Sequence, residues 1–277
     1  MLSNKLYWRI IELIDKQNLI NKQNMLNNEE QKALENIKAI PYMKKTIALI
    51  EDFVNNYPVK DNRVAFIAVF DEIFRILNEA KSFVDDYLST RKANGEIRDE
   101  KQALKSIAGN SFSLALAYIF LKNKEIDNIR DDIFITSKIS KVPSFEEIAI
   151  INVDGETQKP DCDLVIYSLN EDNTLKECLI LLLKTSLRER AGQTYKWKLL
   201  MEIATTDNPI KEKYNIEYKP CRMPLVAFAT VNFYNEINNP QHKGMFKFFD
   251  KSFIAKNIDA DFIERMSTLP KYVNEKL

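Results

Sequence analysis

The first half of the chain carries its apolar residues at helical spacing. Between residues 6 and 121, isoleucine, leucine and phenylalanine recur at the three-to-four-residue interval of an amphipathic helix, and Pro41 and Pro58 interrupt the pattern. The run at residues 64–87 has one apolar stripe with polar residues opposite it. We therefore predict a helical region over residues 1–105, suited to packing, dimerisation or clamping DNA.

The second half changes to short apolar runs of the kind that form strands. The predicted strands are residues 132–136, 161–168, 177–184 and 224–231. The last two are continuously apolar, as expected for strands that are buried on both faces. Residues 191–204 return to helical spacing, and residues 261–266 and the tail are also predicted to be helical. Strands that alternate with helices predict an α/β fold with a mixed sheet, which we place at residues 106–277.

Composition narrows the class of protein. The chain has 277 residues, of which 45% are hydrophobic and 29% charged, so it is long and apolar enough to form a full core. Its five glycines include no GxxxxGK[ST] pattern, which removes support for a P-loop nucleotide hydrolase. One histidine, and three cysteines without a CxxC pair, disfavour a zinc site and a disulfide framework. The chain start lacks a signal-peptide core and the apolar runs are short, so we expect a cytoplasmic protein with no membrane partner.

Charge is balanced along the whole chain, with 40 basic and 40 acidic residues. Proteins that bind nucleic acid usually have a basic excess, so a DNA site here must concentrate its positive charge locally. Residues 184–198 do so, because five basic residues accompany one acid, Glu189. Such a cluster is suited to contacts with phosphate.

The start of this basic segment also has the groups that phosphodiester hydrolysis needs. Hydrolysis near neutral pH calls for a divalent metal ion that neutralises the phosphate and activates water. Magnesium prefers carboxylates, backbone carbonyls and water as ligands. Asp161 begins one predicted strand and Lys184 ends the next, so a hairpin with its turn at residues 170–174 would bring them together beside the Leu183 carbonyl. A lysine there would orient the attacking water and stabilise developing charge.

The three residues Arg188, Glu189 and Arg190 are suited to reading G·C base pairs. The planar guanidinium of arginine can bond guanine O6 and N7 together, and a glutamate can accept from cytosine N4.

These residues resemble a known family. Pro160-Asp161, followed by the run KTSLRER at residues 184–190 and by Gln193 and Trp197 on a predicted helix, is similar to type II restriction endonucleases of the PD-(D/E)xK superfamily. The similarity is to the branch that recognises CCGG or CC/GG-centred sites through an R-(D/E)-R element. It continues more weakly at residues 106–112 and 239–250.

The resemblance implies a fold and a function. It implies a mixed-sheet PD-(D/E)xK restriction-endonuclease-like core that uses Mg²⁺, with Mn²⁺ as a substitute. It further implies a homodimer on double-stranded DNA with a palindromic, G·C-containing site, and a cognate DNA methyltransferase in the same restriction-modification system.

Site residues are carried over by position. Asp161 becomes a metal ligand together with the Leu183 carbonyl, and Lys184 becomes the catalytic lysine. The predicted DNA contacts are Thr185, Ser186, Arg188, Glu189, Arg190, Gln193, Lys196 and Lys198, with Ser113, His242 and Lys243 as further candidates.

Two positions depart from the family pattern. Leu182 lies two residues before the lysine, where relatives have an acidic or small polar residue. Ser113 lies on the upstream helix where relatives have a glutamate. We therefore predict that Glu202 on the following helix supplies the missing catalytic and metal-binding carboxylate, with Glu146 and Glu147 as weaker candidates.

Two other interpretations stay open from the sequence. Leu182 and Ser113 also fit a cleavage-inactive DNA-binding protein on a nuclease fold, and the N-terminal helices alone fit a helical interaction module. Substitution of Arg188 or Arg190 should abolish site preference under either DNA interpretation, and should leave an interaction module unchanged. We favour the type II restriction endonuclease.

Overall fold

The structure is a computed structural model that describes residues 26–160, 162–187, 191–258 and 260–277. Helices make up the first part of the described chain. They are α1 (Asn28–Ala39), α2 (Lys44–Asn55), α3 (Asn62–Ala68), α4 (Ile73–Glu79), α5 (Lys81–Ala93) and α6 (Glu100–Glu125). The described residues up to Glu125 are thus mainly helical, while the assignment of residues 1–105 to a separate helical region stays a prediction.

The predicted continuous helix at residues 64–87 is wrong in detail. The run is divided into α3, a 3-10 turn at Val69–Glu72, α4 and α5. Val69 and Phe70 in the turn are fully buried, and the Asp71 carboxylate accepts a 2.8 Å hydrogen bond from the Ser267 amide. Packing against the C-terminal part of the chain thus bends a segment whose apolar spacing is helical throughout.

The rest of the chain forms two sheets and the helices around them. The strands are β1 (Ile133–Thr136), β2 (Ile151–Val153), β3 (Glu156–Gln158), β4 (Leu164–Leu169), β5 (Leu175–Lys184), β6 (Ile216–Glu217), β7 (Leu225–Thr230), β8 (Lys251–Ile254) and β9 (Glu264–Arg265). The remaining helices are α7 (Phe145–Ala149), α8 (Ala191–Thr205), α9 (Pro209–Lys213), α10 (Pro240–Phe246) and α11 (Leu269–Lys276). Further 3-10 turns lie at Ile139–Lys141, Glu236–Asn238 and Met266–Thr268.

The large sheet is mixed, as predicted. Its order is β1-β4-β5-β7-β8-β9, antiparallel from β1 to β5 and parallel from β5 to β9. The small antiparallel sheet has the order β3-β2-β6. All four predicted strands and the helix at residues 191–204 are confirmed. The helix predicted at residues 261–266 is wrong, because Glu264 and Arg265 pair with β8 and the helix begins only at Leu269.

β5 is the central strand and is buried on both faces. Leu179, Leu181 and Leu183 pack into the core that includes α6. Ile180 and Leu182 pack on the opposite face, into the core that includes residues of α8. This placement explains the unbroken apolar run, since neither face of the strand meets water.

The helix α6 connects the helical region to the sheet. It packs against α1, α3, α4 and α5 and against β1 and β5. By length and composition α6 could cross a membrane, but half of its most apolar window is buried inside the fold, as in the core helix of a globular protein. The predicted boundary between residues 105 and 106 lies within this helix. The division into two regions stays a prediction.

A buried ion pair ties α1 to α6. Lys124, fully buried, donates to both oxygens of Glu30 at 2.8 and 3.0 Å and to the Ile133 carbonyl at 2.8 Å. Burial raises the pKa of Glu30 and lowers the pKa of Lys124, while their mutual attraction opposes both shifts. Each charge therefore depends on its partner, because an isolated charge in the interior is strongly disfavoured.

We expect Glu30→Ala to reduce the free energy of unfolding by about 3–5 kcal/mol, because it leaves the Lys124 ammonium buried without its counter-charge. Glu29→Ala is the matched control. Glu29 lies on the same helix but is exposed and 3.5 Å from Lys141, so its loss should cost less than about 1 kcal/mol. Urea denaturation of the two variants measures the difference, and equal losses would contradict this account of the pair.

Candidate active site

The β4-β5 hairpin brings the start of one strand to the end of the other. Its turn closes through a 2.9 Å hydrogen bond from the Asn170 amide to the Thr174 carbonyl, and Asn173 adopts a left-handed conformation. Leu164 pairs with Leu181 across the two strands. Asp163, which directly precedes β4, therefore lies beside the last residues of β5.

The Asp163 carboxylate contacts the end of β5 directly. Its Oδ2 accepts hydrogen bonds from the Leu183 amide at 2.7 Å and from Lys184 Nζ at 3.1 Å. Both side chains are mostly shielded from solvent, with 26% of Asp163 and 14% of Lys184 exposed. Within the described ranges, Asp163 Oδ1 has no hydrogen-bond donor. One oxygen therefore holds the strand end, and the other keeps its capacity to bind a ligand.

Among the described residues, the aspartate that contacts Lys184 is Asp163, whereas the sequence analysis had predicted Asp161. Asp161 lies outside the described residues, so its own prediction stays untested. A signal for Asp163 was present in the sequence. Asp163 directly precedes the first residue of the apolar run that forms β4, and a side chain at that place lies at the sheet edge.

A cavity of about 620 Å³ opens beside this pair. The described residues that line it from α6 are Lys105, Ser106, Gly109, Asn110, Phe112 and Ser113, and those from the sheet side are Asp163, Leu183, Lys184, Thr185 and Ser186. The structure thus brings together five sequence-predicted positions: Ser113, Leu183, Lys184, Thr185 and Ser186. Lys105 and Asn110 were missed, because only tertiary packing turns this part of α6 towards the strand ends.

Leu182 is one of the two positions at which the sequence analysis noted a departure from the resembled pattern. Here it is almost fully buried among the residues that pack against α8. The cavity, in contrast, is lined by α6. The Leu182 side chain therefore serves core packing on the face of the sheet opposite the cavity.

Glu202 and Lys198 are not brought to the cavity. Lys198 Nζ donates to both oxygens of Asp250 at 3.0 and 2.8 Å, and Asp250 also accepts from the Val226 amide. Val226 pairs with Ile180, four residues before Lys184, which is roughly 13 Å along the strand. Glu202 is half exposed and lies 3.8 Å from Lys198.

This geometry lends no support to two of the predicted site residues. Lys198 is mostly buried in an ion pair, so its surroundings are those of a structural residue and do not support a DNA contact. Glu202 shares that end of the sheet, away from Asp163, and does not support a metal ligand. The weaker candidates Glu146 and Glu147 lie on α7 and are absent from the described cavity lining.

The other predicted DNA contacts have varied positions. Arg188, Glu189 and Arg190 lie outside the described residues, and Gln193 is described only as part of the backbone of α8. Lys196 and Lys243 are exposed, and Lys243 Nζ lies 5.0 Å from the centre of the Phe262 ring. His242 is half-buried, with Nδ1 3.0 Å from the Glu236 carbonyl oxygen.

The described residues of the cavity lining offer oxygen ligands but no cluster of the zinc-binding type. In the part of the chain that the structure describes, no three His, Cys, Asp or Glu residues form a metal-binding group. Magnesium needs no such group, because it usually keeps several waters and binds one or two carboxylates together with substrate phosphate. Asp163 Oδ1 and the Leu183 carbonyl are oxygen donors of the required kind.

The mixed sheet with flanking helices is compatible with a restriction-endonuclease-like fold. Residues 136–272, just under half of the chain, match the family model described as BsaWI restriction endonuclease type 2. The matched segment contains Asp163 and Lys184 but not α6. No curated protein matches the chain.

This match supports a type II restriction endonuclease, and the protein is accordingly an enzyme, a site-specific deoxyribonuclease. Double-stranded DNA is the partner that this class implies. Restriction endonucleases of this kind generally use a divalent metal ion.

We expect the Glu202→Ala variant to cleave DNA at a rate within about twofold of that of the unchanged protein. A residue outside the reacting centre contributes little to transition-state stabilisation. Lys198 would keep both hydrogen bonds to Asp250, so the free energy of unfolding should change by less than about 0.5 kcal/mol. Single-turnover cleavage rates and urea denaturation measure both. A loss of about 100-fold or more in the cleavage rate would support the original prediction that Glu202 is a metal ligand.

Proposed function

We propose that the protein is a Mg²⁺-dependent type II restriction endonuclease with a PD-(D/E)xK core. Its substrate is double-stranded DNA with a short, palindromic, G·C-containing site, CCGG or CC/GG-centred. The observation that carries the proposal is the contact between Asp163 and Lys184 at the strand ends, beside a cavity that is open to a phosphate group. Mn²⁺ is proposed to substitute for Mg²⁺.

Asp163 and the Leu183 carbonyl are the proposed metal ligands, with Asp161 retained as a second carboxylate. When bound, the metal ion supplies charge neutralisation at the phosphate and lowers the pKa of water. Asp163 is suited to this role because its Oδ2 already accepts a hydrogen bond from the backbone of β5. The side chain is therefore ordered before the metal binds, and Oδ1 can act as the ligand.

Lys184 is the proposed catalytic cation. Its ammonium group lies in a largely shielded position, where electrostatic interactions are stronger than in bulk water. There it can hold the attacking water and offset the negative charge that builds up on the phosphate oxygens. The water oxygen bonds to phosphorus as the P–O3′ bond breaks, which leaves a 5′-phosphate and a 3′-hydroxyl.

The α6 wall is proposed to hold the DNA backbone. Lys105, Ser106 and Asn110 are all exposed on the cavity side, and they present one cation and two neutral polar groups. Asp163 is the one acid among the described residues of the cavity lining. A phosphate that enters the cavity thus meets Lys105 on one side and Lys184 on the other.

Recognition and assembly are also proposals. Arg188, Glu189 and Arg190 are assigned to base reading, with Thr185, Ser186, Gln193 and Lys196 close to them in sequence, and with His242 and Lys243 as further DNA contacts. A homodimer would match the two-fold symmetry of a palindromic site. A cognate methyltransferase and a cytoplasmic location complete the proposed system.

Digestion of a long, unmethylated DNA tests the function directly. We expect discrete fragments with Mg²⁺ and intact DNA with EDTA. Asp163→Asn should lower the cleavage rate by more than about 100-fold, since the loss of a metal-binding charge removes at least about 2.7 kcal/mol of transition-state stabilisation. Gel-shift affinity without metal should be retained, because the substitution does not remove a phosphate-binding cation.

Asp161→Asn is the matched comparison for this experiment. Full activity of Asp161→Asn together with loss in Asp163→Asn supports the assignment to Asp163. The reverse result would restore Asp161 as the principal ligand. If the unchanged protein leaves the DNA intact and gives no gel shift, the nuclease proposal fails.

Salt dependence of DNA binding tests the α6 wall. We expect Lys105→Ala to weaken binding and to reduce the slope of log affinity against log salt by about one, as for the loss of one phosphate contact. Lys101→Ala is the control, because Lys101 is exposed on the same helix, one turn earlier, and is absent from the cavity lining. Fluorescence anisotropy in EDTA measures both slopes. Equal changes of slope in the two variants would show that Lys105 acts only through the overall electrostatic field of the protein and not through a phosphate contact.

A further inference from the structure

The loop after β7 is folded so that it places one carboxylate against the end of β5. Asn232 and Asn235 adopt left-handed conformations, with φ of 47° and 56°. The Asn232 amide donates to Thr230 Oγ1 at 2.9 Å, and Asn232 Oδ1 accepts from the Glu236 amide at 2.8 Å. Glu236 is thereby anchored to the last residue of β7, which pairs with Lys184 in the sheet.

The Glu236 side chain bonds to the segment that follows Lys184. Its Oε2 accepts from the Leu187 amide at 2.8 Å and from Ser186 Oγ at 3.1 Å. In the same loop, the Phe233 amide donates to the Thr185 carbonyl at 3.1 Å. All three residues between Lys184 and Arg188 are therefore bonded to this loop.

We propose that Glu236 is a positioning residue for sequence recognition. It fixes the two residues that immediately precede the R-E-R element at positions 188–190. The inference rests on the proposed function, in which that element reads bases. Glu236 acts through Ser186 and Leu187 and is not assigned to touch DNA.

The physical argument has two parts. Hydrogen bonds to a charged acceptor are stronger than neutral ones, and a carboxylate oxygen that accepts two of them restrains both donors. Base reading by arginine needs accurate placement of the guanidinium, so the chain that leads into it must be ordered.

The backbone of Glu236 is itself held in place. His242 Nδ1 lies 3.0 Å from the Glu236 carbonyl oxygen, and the amides of His242 and Lys243 both donate to Asn239. The proposed network therefore runs from the end of β7 through Glu236 to α10. His242, a predicted DNA contact, therefore has a structural partner in this network, the Glu236 carbonyl.

The test compares Glu236→Ala with Glu236→Gln. The hydrogen bonds from Ser186 and Leu187 go to the same oxygen, Oε2, so the amide oxygen of glutamine can accept these two while the charge is removed. For Glu236→Ala we expect the ratio of kcat/KM at the preferred site to that at single-base variants to fall by at least about tenfold, the discrimination that one bidentate base contact provides. Glu236→Gln should stay within about threefold of the unchanged protein.

Two results would overturn the proposal. The first is unchanged discrimination in Glu236→Ala, which includes a loss of cleavage at all sites by the same factor. The second is an equal loss of discrimination in both variants. Equal loss would mean that the charge acts, not the hydrogen bonds. If Glu236→Ala does not fold, as judged by circular dichroism, Ser186→Ala carries the test. It deletes one of the two hydrogen bonds and should show a smaller loss of discrimination in the same direction, whereas unchanged discrimination would again overturn the proposal.

The wild-type digest separates this inference from the function on which it rests. Intact DNA with the unchanged protein means that the proposed function fails. Discrete fragments with the unchanged protein, together with full discrimination in Glu236→Ala, mean that only the inference fails.

Discussion

Two hydrogen bonds to a single oxygen of Asp163 fix the geometry of the proposed active site. One comes from the Leu183 amide within β5, and the other comes from the Lys184 side chain at the end of the same strand. β5 is itself held on one side by β4 and on the other by β7. The separation between carboxylate and ammonium is therefore set by the sheet, and groups held by strands are placed more accurately than groups on loops.

Balanced net charge conceals a local excess at this site. Many acids pair with nearby bases elsewhere, as Glu72 and Glu79 do with Arg75. The described lining of the cavity instead has two lysines, Lys105 and Lys184, for one acid, Asp163. Local fields guide charged ligands, so a zero whole-chain charge is compatible with a phosphate-binding cavity.

Sequence patterns predicted what depends on local order along the chain. The apolar run of β5, the polar turn at residues 170–174 and the placement of Lys184 at a strand end are all local features, and each is confirmed. Asp163 was not predicted, because a two-residue motif does not show where β4 begins. The helical pattern of residues 191–204 gives a face of α8 but not the end of the sheet at which Glu202 lies, so local order does not support its predicted metal role. Of the α6 wall only Ser113 was predicted, from the family resemblance, because the contribution of Lys105 and Asn110 depends on packing between distant segments, which no short pattern encodes.

The helix α6 belongs to the cavity and to the core at once. Lys105, Ser106 and Asn110 of this helix line the cavity, while Leu116 and Phe120 further along are fully buried. Near its end, Lys124 pairs with Glu30 of α1 and with the Ile133 carbonyl of β1. The position of the cavity wall is thus set by contacts that lie up to about five turns away along a rigid helix. Because the sequence-based boundary at residues 105 and 106 cuts between two cavity-lining side chains, the N-terminal helices are part of the structure that sets the width of the cavity.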